Sequence, residues 1–239
     1  MGYLPTGNPI SEKWPLVVSV HGTDGSPDAY LDMCREGAEK YGVVVLAPYF
    51  DFPMFPTYDI LNIGLAMERS DLAILEIIDT LAERIPLDTS RFYLFGHSKG
   101  GQFVSRFVLA HPDRIIRAAA GSPGNYVMPD PDVLFPHGTN PNPQTPDLAA
   151  PDFGKLAQTP MLVLMGQKED VGWHDLAKAF IQATQAYADE HRITCNVKFA
   201  VVEKGFHAGV SNYPSASRFL YQDLRPRQDA NPRQTLERR

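Results

Sequence analysis

The sequence predicts an α/β fold with a mostly parallel sheet of about six or more strands and helices on both faces. Short apolar runs rich in β-branched residues alternate with longer amphipathic stretches, which is the rhythm of strands and crossover helices. The apolar runs show no polar alternation, as expected of strands that are covered on both faces. Glycine or proline residues follow many of these segments and mark where the elements end.

The apolar runs predict strands at 16–20, 43–47, 92–95, 115–120, 161–165 and 197–202. Helices are predicted at 30–40, 67–85, 99–110, 176–191 and 215–224. The helix at 67–85 has the clearest pattern, because its apolar residues recur at the spacing of one helix face. Ligands of such sheets bind beyond the carboxyl ends of the strands, so functional residues are expected just after a strand.

One domain is predicted at 1–225, which suits a chain of 239 residues. An insertion at 122–160 holds nine prolines and shows no helical period. It is interpreted as a lid or pocket wall over the carboxyl edge of the sheet, the alternative being an inert surface excursion. The tail at 226–239 is poor in apolar residues and is expected to be disordered.

Composition excludes several classes of function. The net charge of −6 argues against a nucleic-acid partner, which needs a basic face. The two cysteines, Cys34 and Cys195, lie far apart and form no metal or redox motif. No apolar stretch is long enough to cross a membrane, and the first residues lack the pattern of a signal peptide, so a cytoplasmic location is expected. The sequence leaves the oligomeric state open.

The strongest chemical signal is Gly96-His97-Ser98-Lys99-Gly100, which has the form G-x-S-x-G between a predicted strand and a predicted helix. In that context the motif is typical of a nucleophile elbow, a sharp turn that exposes a serine hydroxyl at the edge of the sheet. Ser98 is therefore predicted to be the nucleophile of a serine hydrolase, rather than an incidental serine in a glycine-rich turn.

A serine hydroxyl needs a base to take its proton, and histidine is the side chain suited to this at neutral pH. His207 follows the strand at 197–202 on a glycine-flanked loop and is predicted to be that base, with His174 as the rival. The base in turn needs a carboxylate. Asp170, after the strand at 161–165, is predicted to supply it, with Glu169 as the alternative and a helix cap as the competing role of Asp170.

The oxyanion hole needs two N–H donors. The backbone amide of Lys99 is predicted to be one, because it follows the nucleophile at the start of a helix. The second is predicted to come from the loop after the strand at 16–20, from Thr23 or else Gly22. Aromatic residues Phe50, Tyr126 and Trp173 are predicted to line an apolar substrate pocket, unless they only pack beneath their loops.

Together, HGTDG from His21, GHSKGG from Gly96, GQKED from Gly166 and GFHAG from Gly205 resemble the α/β-hydrolase superfamily over nearly the whole chain. Within it, the chain is most similar to carboxylesterases, feruloyl esterases and polyhydroxybutyrate depolymerases. The resemblance implies the α/β-hydrolase fold, a small-molecule or oligomeric ester substrate cleaved through an acyl-enzyme, and no metal or organic cofactor. The acid lies four residues past Gly166 rather than the commoner three, which keeps Glu169 in consideration.

Fold alone does not decide chemistry. Other enzymes that could use the same site are an amidase or peptidase, an acyltransferase and a hydroxynitrile lyase. A binding protein with a silent triad is the non-catalytic alternative, although a receptor has no need of all three side chains.

Overall fold

A computed structural model describes residues 1–7, 12–146, 148 and 151–227. Its centre is a seven-stranded sheet with the order β1-β3-β2-β4-β5-β6-β7. Every neighbouring pair is parallel except β1 and β3, which are antiparallel. The strands are β1 (Gly2–Tyr3), β2 (Leu16–Val20), β3 (Val44–Leu46), β4 (Phe92–His97), β5 (Ile115–Gly121), β6 (Met161–Gly166) and β7 (Val197–Val202).

The six predicted strands are all present, and the mostly parallel sheet is confirmed. The additional strand, β1, has only two residues and pairs with the edge strand β3. A two-residue strand carries no periodicity, so the pattern of apolar residues could not predict it. Its ladder is extended by the amino group of Met1, which donates a hydrogen bond to the Ala47 carbonyl over 2.8 Å.

Helices cover both faces of the sheet. They are α1 (Pro27–Tyr41), α2 (Ser70–Ala82), α3 (Lys99–Ala110), α4 (Phe153–Gln158), α5 (Val171–His191) and α6 (Gly209–Leu220). Helices α1 and α6 bury their apolar side chains against one face, and α2 to α5 bury theirs against the other. Successive strand residues such as Leu16 and Val17 belong to opposite clusters, because side chains alternate across a strand. Among the helices of the described residues, none combines the length and apolarity that a membrane crossing needs.

Three helices begin earlier than predicted, α1 by three residues, α5 by five and α6 by six. Helix α5 begins at Val171 because the Asp170 side chain accepts a hydrogen bond from the Gly172 amide and so caps it. Helix α6 begins at Gly209 and contains Pro214, whereas the prediction began after that proline. Proline is disfavoured inside helices, so sequence reasoning places a boundary there, but packing of the apolar face overrides it.

The segment 122–160 packs onto the domain and contains the short helix α4, which the sequence did not reveal. Val127 and Phe135 are fully buried in the core cluster. The buried side chain of Arg106 in α3 holds the segment by donating hydrogen bonds to the Pro136 carbonyl at 3.0 Å and the Asn125 side chain at 2.8 Å. Its interpretation as a lid or pocket wall stays a prediction, as does the boundary of a single domain at 225.

The predicted disordered tail begins with a placed residue. The backbone amide of Arg227 donates a hydrogen bond to the Lys40 carbonyl over 2.7 Å, and its guanidinium lies 5.6 Å from the centre of the Trp14 ring. The side chain is buried. Arg227 thus packs on the domain, and residues 228–239, most of the predicted disordered tail, lie outside the described part of the chain.

A buried ion-pair cluster joins α2 to the end of α3. The fully buried carboxylate of Asp71 accepts hydrogen bonds from Arg69 at 2.5 Å and from His111 at 2.7 Å. Burial by itself would raise the pKa of Asp71, but the hydrogen bonds from His111 and Arg69 outweigh it and the pKa lies below its ordinary value. The carboxylate is therefore ionised at neutral pH and stabilises the junction.

Replacing Asp71 with asparagine is expected to lower the free energy of unfolding at pH 7 by about 3 kcal/mol, because it breaks a buried charge pair. A carboxyl whose pKa is depressed on folding adds stability above its unfolded pKa of about 3.9 and loses it as the pH falls through the folded value. The difference between wild type and variant should therefore shrink below about pH 4. Urea unfolding of wild type and variant, at pH 7 and below about pH 4, measures this difference in the free energy of unfolding. Asp79→Asn, an exposed change on the same helix, is the control, and an equal effect there would contradict the account.

Candidate active site

Ser98 lies at the turn between β4 and α3, with φ 54° and ψ −117°. This left-handed region is strained for a residue with a side chain, and such strain is concentrated at functional sites. The turn is closed so tightly that a Cβ at Gly96 would lie 2.2 Å from the Gly100 carbonyl oxygen, and one at Gly100 would lie 2.4 Å from the Val20 oxygen. Steric crowding therefore explains why glycine occupies these two positions of the motif. Ser98 itself is left partly exposed.

His207 lies on the loop between β7 and α6. Its Nε2 is 2.9 Å from the Ser98 Oγ, which is hydrogen-bond distance. The ring lies between two other aromatic rings, with centroids 4.8 Å away at His97 and 4.7 Å away at Trp173. The structure thus brings together a serine and a histidine that are 109 residues apart in the chain.

The carboxylate beside the imidazole is that of Glu169, whose Oε2 is 3.4 Å from the His207 Nδ1. Asp170 was the residue predicted here, and that placement is wrong. Its exposed side chain instead accepts a hydrogen bond from the Gly172 amide over 2.7 Å at the start of α5. This helix-cap role was the competing interpretation of Asp170.

The turn after β6 explains which carboxylate faces inward. The Glu169 amide bonds back to the Gly166 carbonyl at 3.1 Å, and the Gly166 amide donates to the Glu169 Oε1 at 2.8 Å. The closed turn points the Glu169 side chain into the protein, where it has no exposed surface. The following residue, Asp170, then faces solvent at the first turn of the helix.

The hydrogen bonds around Glu169 favour its ionised form. Burial raises the pKa of Glu169, but hydrogen bonds from His207, Ser122 and Gly166 outweigh it and hold the pKa below its ordinary value. Burial, together with the charge of His207, lowers the pKa of His97 to about 4, so His97 is neutral at pH 7. The His174 ring, the rival to His207, donates from Nε2 to the Gly166 carbonyl at 2.9 Å.

The loop after β2 lies against the nucleophile, since a Cβ on Gly22 would be 3.3 Å from the Ser98 Cβ. His21 supports this loop. Its Nε2 accepts from the Phe50 amide at 3.0 Å, so its Nδ1 carries the proton and donates to the Gly22 carbonyl at 2.7 Å. Lys99 is the first residue of α3, where backbone amides lack partners within the helix. The amides of Thr23 or Gly22 and of Lys99 remain the predicted oxyanion donors.

Comparison with solved structures identifies the fold to which this arrangement of strands and helices belongs. The chain superimposes on poly(aspartic acid) hydrolase-1 from Sphingomonas sp. KT-1 with a TM-score of 0.77 and 25% identity over 92% of both chains. It matches LpqC, a poly(3-hydroxybutyrate) depolymerase from Bordetella parapertussis, with a TM-score of 0.78 and 22% identity over 95% of this chain and 84% of that one. The chain has the α/β-hydrolase fold.

Another structural neighbour is Est1E from Butyrivibrio proteoclasticus, with a TM-score of 0.57 and 17% identity over 92% of both chains. By sequence, neither a protein-family model nor a curated protein matches the chain. The neighbours include enzymes named for ester and for polymer hydrolysis, in agreement with the branch that the sequence motifs resemble.

The three predicted pocket residues lie in different surroundings. Trp173 is partly exposed and packs on the His207 imidazole. Tyr126 is mostly buried, stacks on Phe180 with centroids 4.7 Å apart, and its hydroxyl has no hydrogen-bond partner among the described residues. Phe50 is only 5% exposed and stacks on Tyr58, so the structure places it in the core rather than in a pocket wall.

Several residues of this site were not predicted. Tyr58 donates to the His21 carbonyl at 2.8 Å, and the Lys99 ammonium donates to the Pro56 carbonyl at 2.7 Å, which ties the loop after β3 to the start of α3. Ser122 and Asn212 lie behind Glu169. An isolated serine or asparagine forms no recognisable motif in the sequence. Only folding brings these two residues to Glu169. The described residues contain no group of three or more His, Cys, Asp or Glu side chains placed to hold a metal ion.

Proposed function

We propose that the protein is a serine hydrolase that cleaves carboxylic esters through an acyl-enzyme, with Ser98, His207 and Glu169 as its catalytic residues. The observation that carries this proposal is the 2.9 Å contact between the Ser98 Oγ and the His207 Nε2, with a buried carboxylate on the other ring nitrogen. A serine hydroxyl is activated when it is hydrogen-bonded to a base and that base is hydrogen-bonded to an acid that orients it.

The reaction follows from this geometry. His207 takes the proton of Ser98 as the oxygen attacks the ester carbonyl, and the imidazolium is stabilised by Glu169. Backbone amides of Lys99 and of Thr23 or Gly22 donate hydrogen bonds to the tetrahedral oxyanion. The imidazolium then protonates the leaving alcohol. Water, deprotonated by His207, releases the acid from the serine and restores the enzyme.

Apolar side chains beside the catalytic residues support an apolar ester as substrate. Phe206 directly precedes His207 and is 55% exposed, and Val171 follows the acid loop and is 72% exposed. On the loop after β3, Tyr49 and Phe52 are also exposed, and the Tyr49 ring centroid is 6.0 Å from that of His21. Exposed apolar side chains that cluster at a site favour apolar ligands.

The test is a fluorophosphonate probe together with p-nitrophenyl esters of increasing acyl length. We expect one probe molecule per chain, attached to Ser98, and an initial burst of p-nitrophenol that marks the acyl-enzyme. Wild-type protein that neither reacts with the probe nor hydrolyses any of the esters would overturn the proposal.

Amide hydrolysis is the second candidate, because one structural neighbour at 25% identity is a poly(aspartic acid) hydrolase. Matched p-nitroanilides of the same acyl groups distinguish the two activities. We expect ester turnover to exceed anilide turnover throughout the series, and the reverse order would assign the site to amides.

A further inference from the structure

A second polar cluster lies behind the triad, on the far side of Glu169 from His207. Ser122 is the first residue after β5, and Asn212 lies in the first turn of α6. Both are fully buried. The proposed mechanism uses neither of them.

Their hydrogen bonds run in one direction. An ionised carboxylate can only accept, so the Ser122 hydroxyl donates to the Glu169 Oε1. The Ser122 oxygen in turn accepts from the Asn212 Nδ2 at 2.7 Å. With the Gly166 amide also donating to Oε1 at 2.8 Å, that oxygen is held in place, and Oε2 is left to face the imidazole.

The cluster has two unfavourable features. Ser122 has φ 49°, a left-handed conformation that is strained for a residue with a side chain. The Asn212 Oδ1 is buried without a hydrogen-bond partner among the described residues, which is unfavourable. A Cβ on Gly121 would lie 3.0 Å from the Asn212 Nδ2, so the glycine before Ser122 leaves room for the asparagine side chain. Unfavourable features that coincide at one place indicate that function, rather than stability, maintains them.

We infer that Ser122 and Asn212 are positioning residues for the catalytic carboxylate: a chain of donors from α6 through the strained turn after β5 fixes the Glu169 side chain so that Oε2 faces His207. This inference rests on the proposed function, since it assigns Glu169 as the acid of the triad. Neither residue touches the reacting atoms. Ser122 acts through Glu169, and Asn212 acts through Ser122, although its Nδ2 also contacts the His97 Nδ1 at 3.4 Å.

A double-mutant cycle tests this action through the carboxylate. Ser122→Ala is expected to lower kcat/KM for a p-nitrophenyl ester about tenfold, the effect of losing a hydrogen bond to a charged group. In a Glu169→Gln background the same change is expected to have almost no further effect, because the group through which it acts is already lost. Full activity of Ser122→Ala, or effects that simply multiply in the double variant, would refute the inference.

Ser122→Gly separates positioning from folding. Glycine adopts φ 49° without strain, so this variant is expected to be at least as stable as Ser122→Ala while losing the same activity. If Ser122→Ala does not fold, Ser122→Gly provides the test. The matched control is Ser105→Ala, which is expected to keep wild-type kcat/KM. It removes a buried hydroxyl that, among the described residues, bonds to the Gln102 carbonyl of its own helix.

The imidazole N–H proton between His207 and Glu169 provides a readout that needs no turnover. In proton NMR spectra this resonance is expected to move in Ser122→Ala and in Asn212→Ala, and to stay in place in Ser105→Ala. Wild-type protein that reacts with no probe and cleaves no ester would refute the proposed function, whereas the NMR series still reports on the contact. An unchanged resonance in both cluster variants would refute the positioning role.

Discussion

Replacing Ser98 with alanine is expected to reduce ester hydrolysis by about 10⁴- to 10⁶-fold and to abolish labelling by a fluorophosphonate. The reason is chemical, because no other oxygen is held 2.9 Å from the His207 Nε2 by the described residues. Alanine keeps the Cβ of serine, so the strain at φ 54° is unchanged and the fold is expected to be retained. The measurements are p-nitrophenol release, probe labelling and the thermal midpoint of unfolding.

The residual rate of Ser98→Ala reports on the rest of the site. Oxyanion donors and substrate binding together still accelerate hydrolysis about 10³- to 10⁴-fold over water in triad enzymes that lack a catalytic member. A variant that misfolded and lost the loop after β2 would lose this residual acceleration as well. Hydrolysis by Ser98→Ala at more than a few per cent of the wild-type rate would exclude Ser98 as the nucleophile.

Replacing Glu169 with glutamine is expected to lower kcat by about 10³- to 10⁴-fold, whereas Asp170→Asn is expected to leave it within about twofold of wild type. Glutamine is the same size as glutamate but cannot stabilise an imidazolium. Asp170 is an exposed helix cap, and asparagine caps helices about as well as aspartate. Its replacement is therefore expected to change neither kcat nor the free energy of unfolding appreciably. Steady-state kinetics of both variants, with circular dichroism as a check on folding, measure the difference.

The two adjacent residues serve as controls for each other, because they share the same loop and the same charge. The opposite pattern, with Asp170→Asn inactive and Glu169→Gln active, would restore the assignment made from sequence and would require the loop after β6 to rearrange. Equal losses in both variants would indicate disruption of the loop rather than loss of a specific carboxylate.

Local pattern predicted the elements that build the sheet. The strands at 16–20 and 197–202 match β2 and β7, and the helix at 99–110 matches α3. Buried parallel strands are continuous apolar runs, and the glycines around Ser98 mark a turn that only small residues allow. These patterns involve only residues that are close together in the chain, so they can be recognised without knowledge of the fold.

Other features depended on contacts that the sequence does not display. The short helix α4 has only six residues and lies in a proline-rich stretch, so no periodicity marks it. Phe50 is aromatic and follows a strand, as a pocket residue would, but it stacks on Tyr58 in the core. Tertiary packing decides between an exposed and a buried aromatic side chain, because either placement is compatible with the same local pattern.

The sequence by itself determined that a serine stands at a strand-to-helix turn, and that carboxylate and histidine residues follow later strands in the chain. Parallel strands bring their carboxyl ends to one edge, so this order alone predicts where the residues gather. Only the tertiary structure decided that Glu169, rather than its neighbour Asp170, faces His207. That choice depends on the closed turn after β6 and on a hydroxyl 47 residues away in the chain, at Ser122, and such contacts exist only after folding.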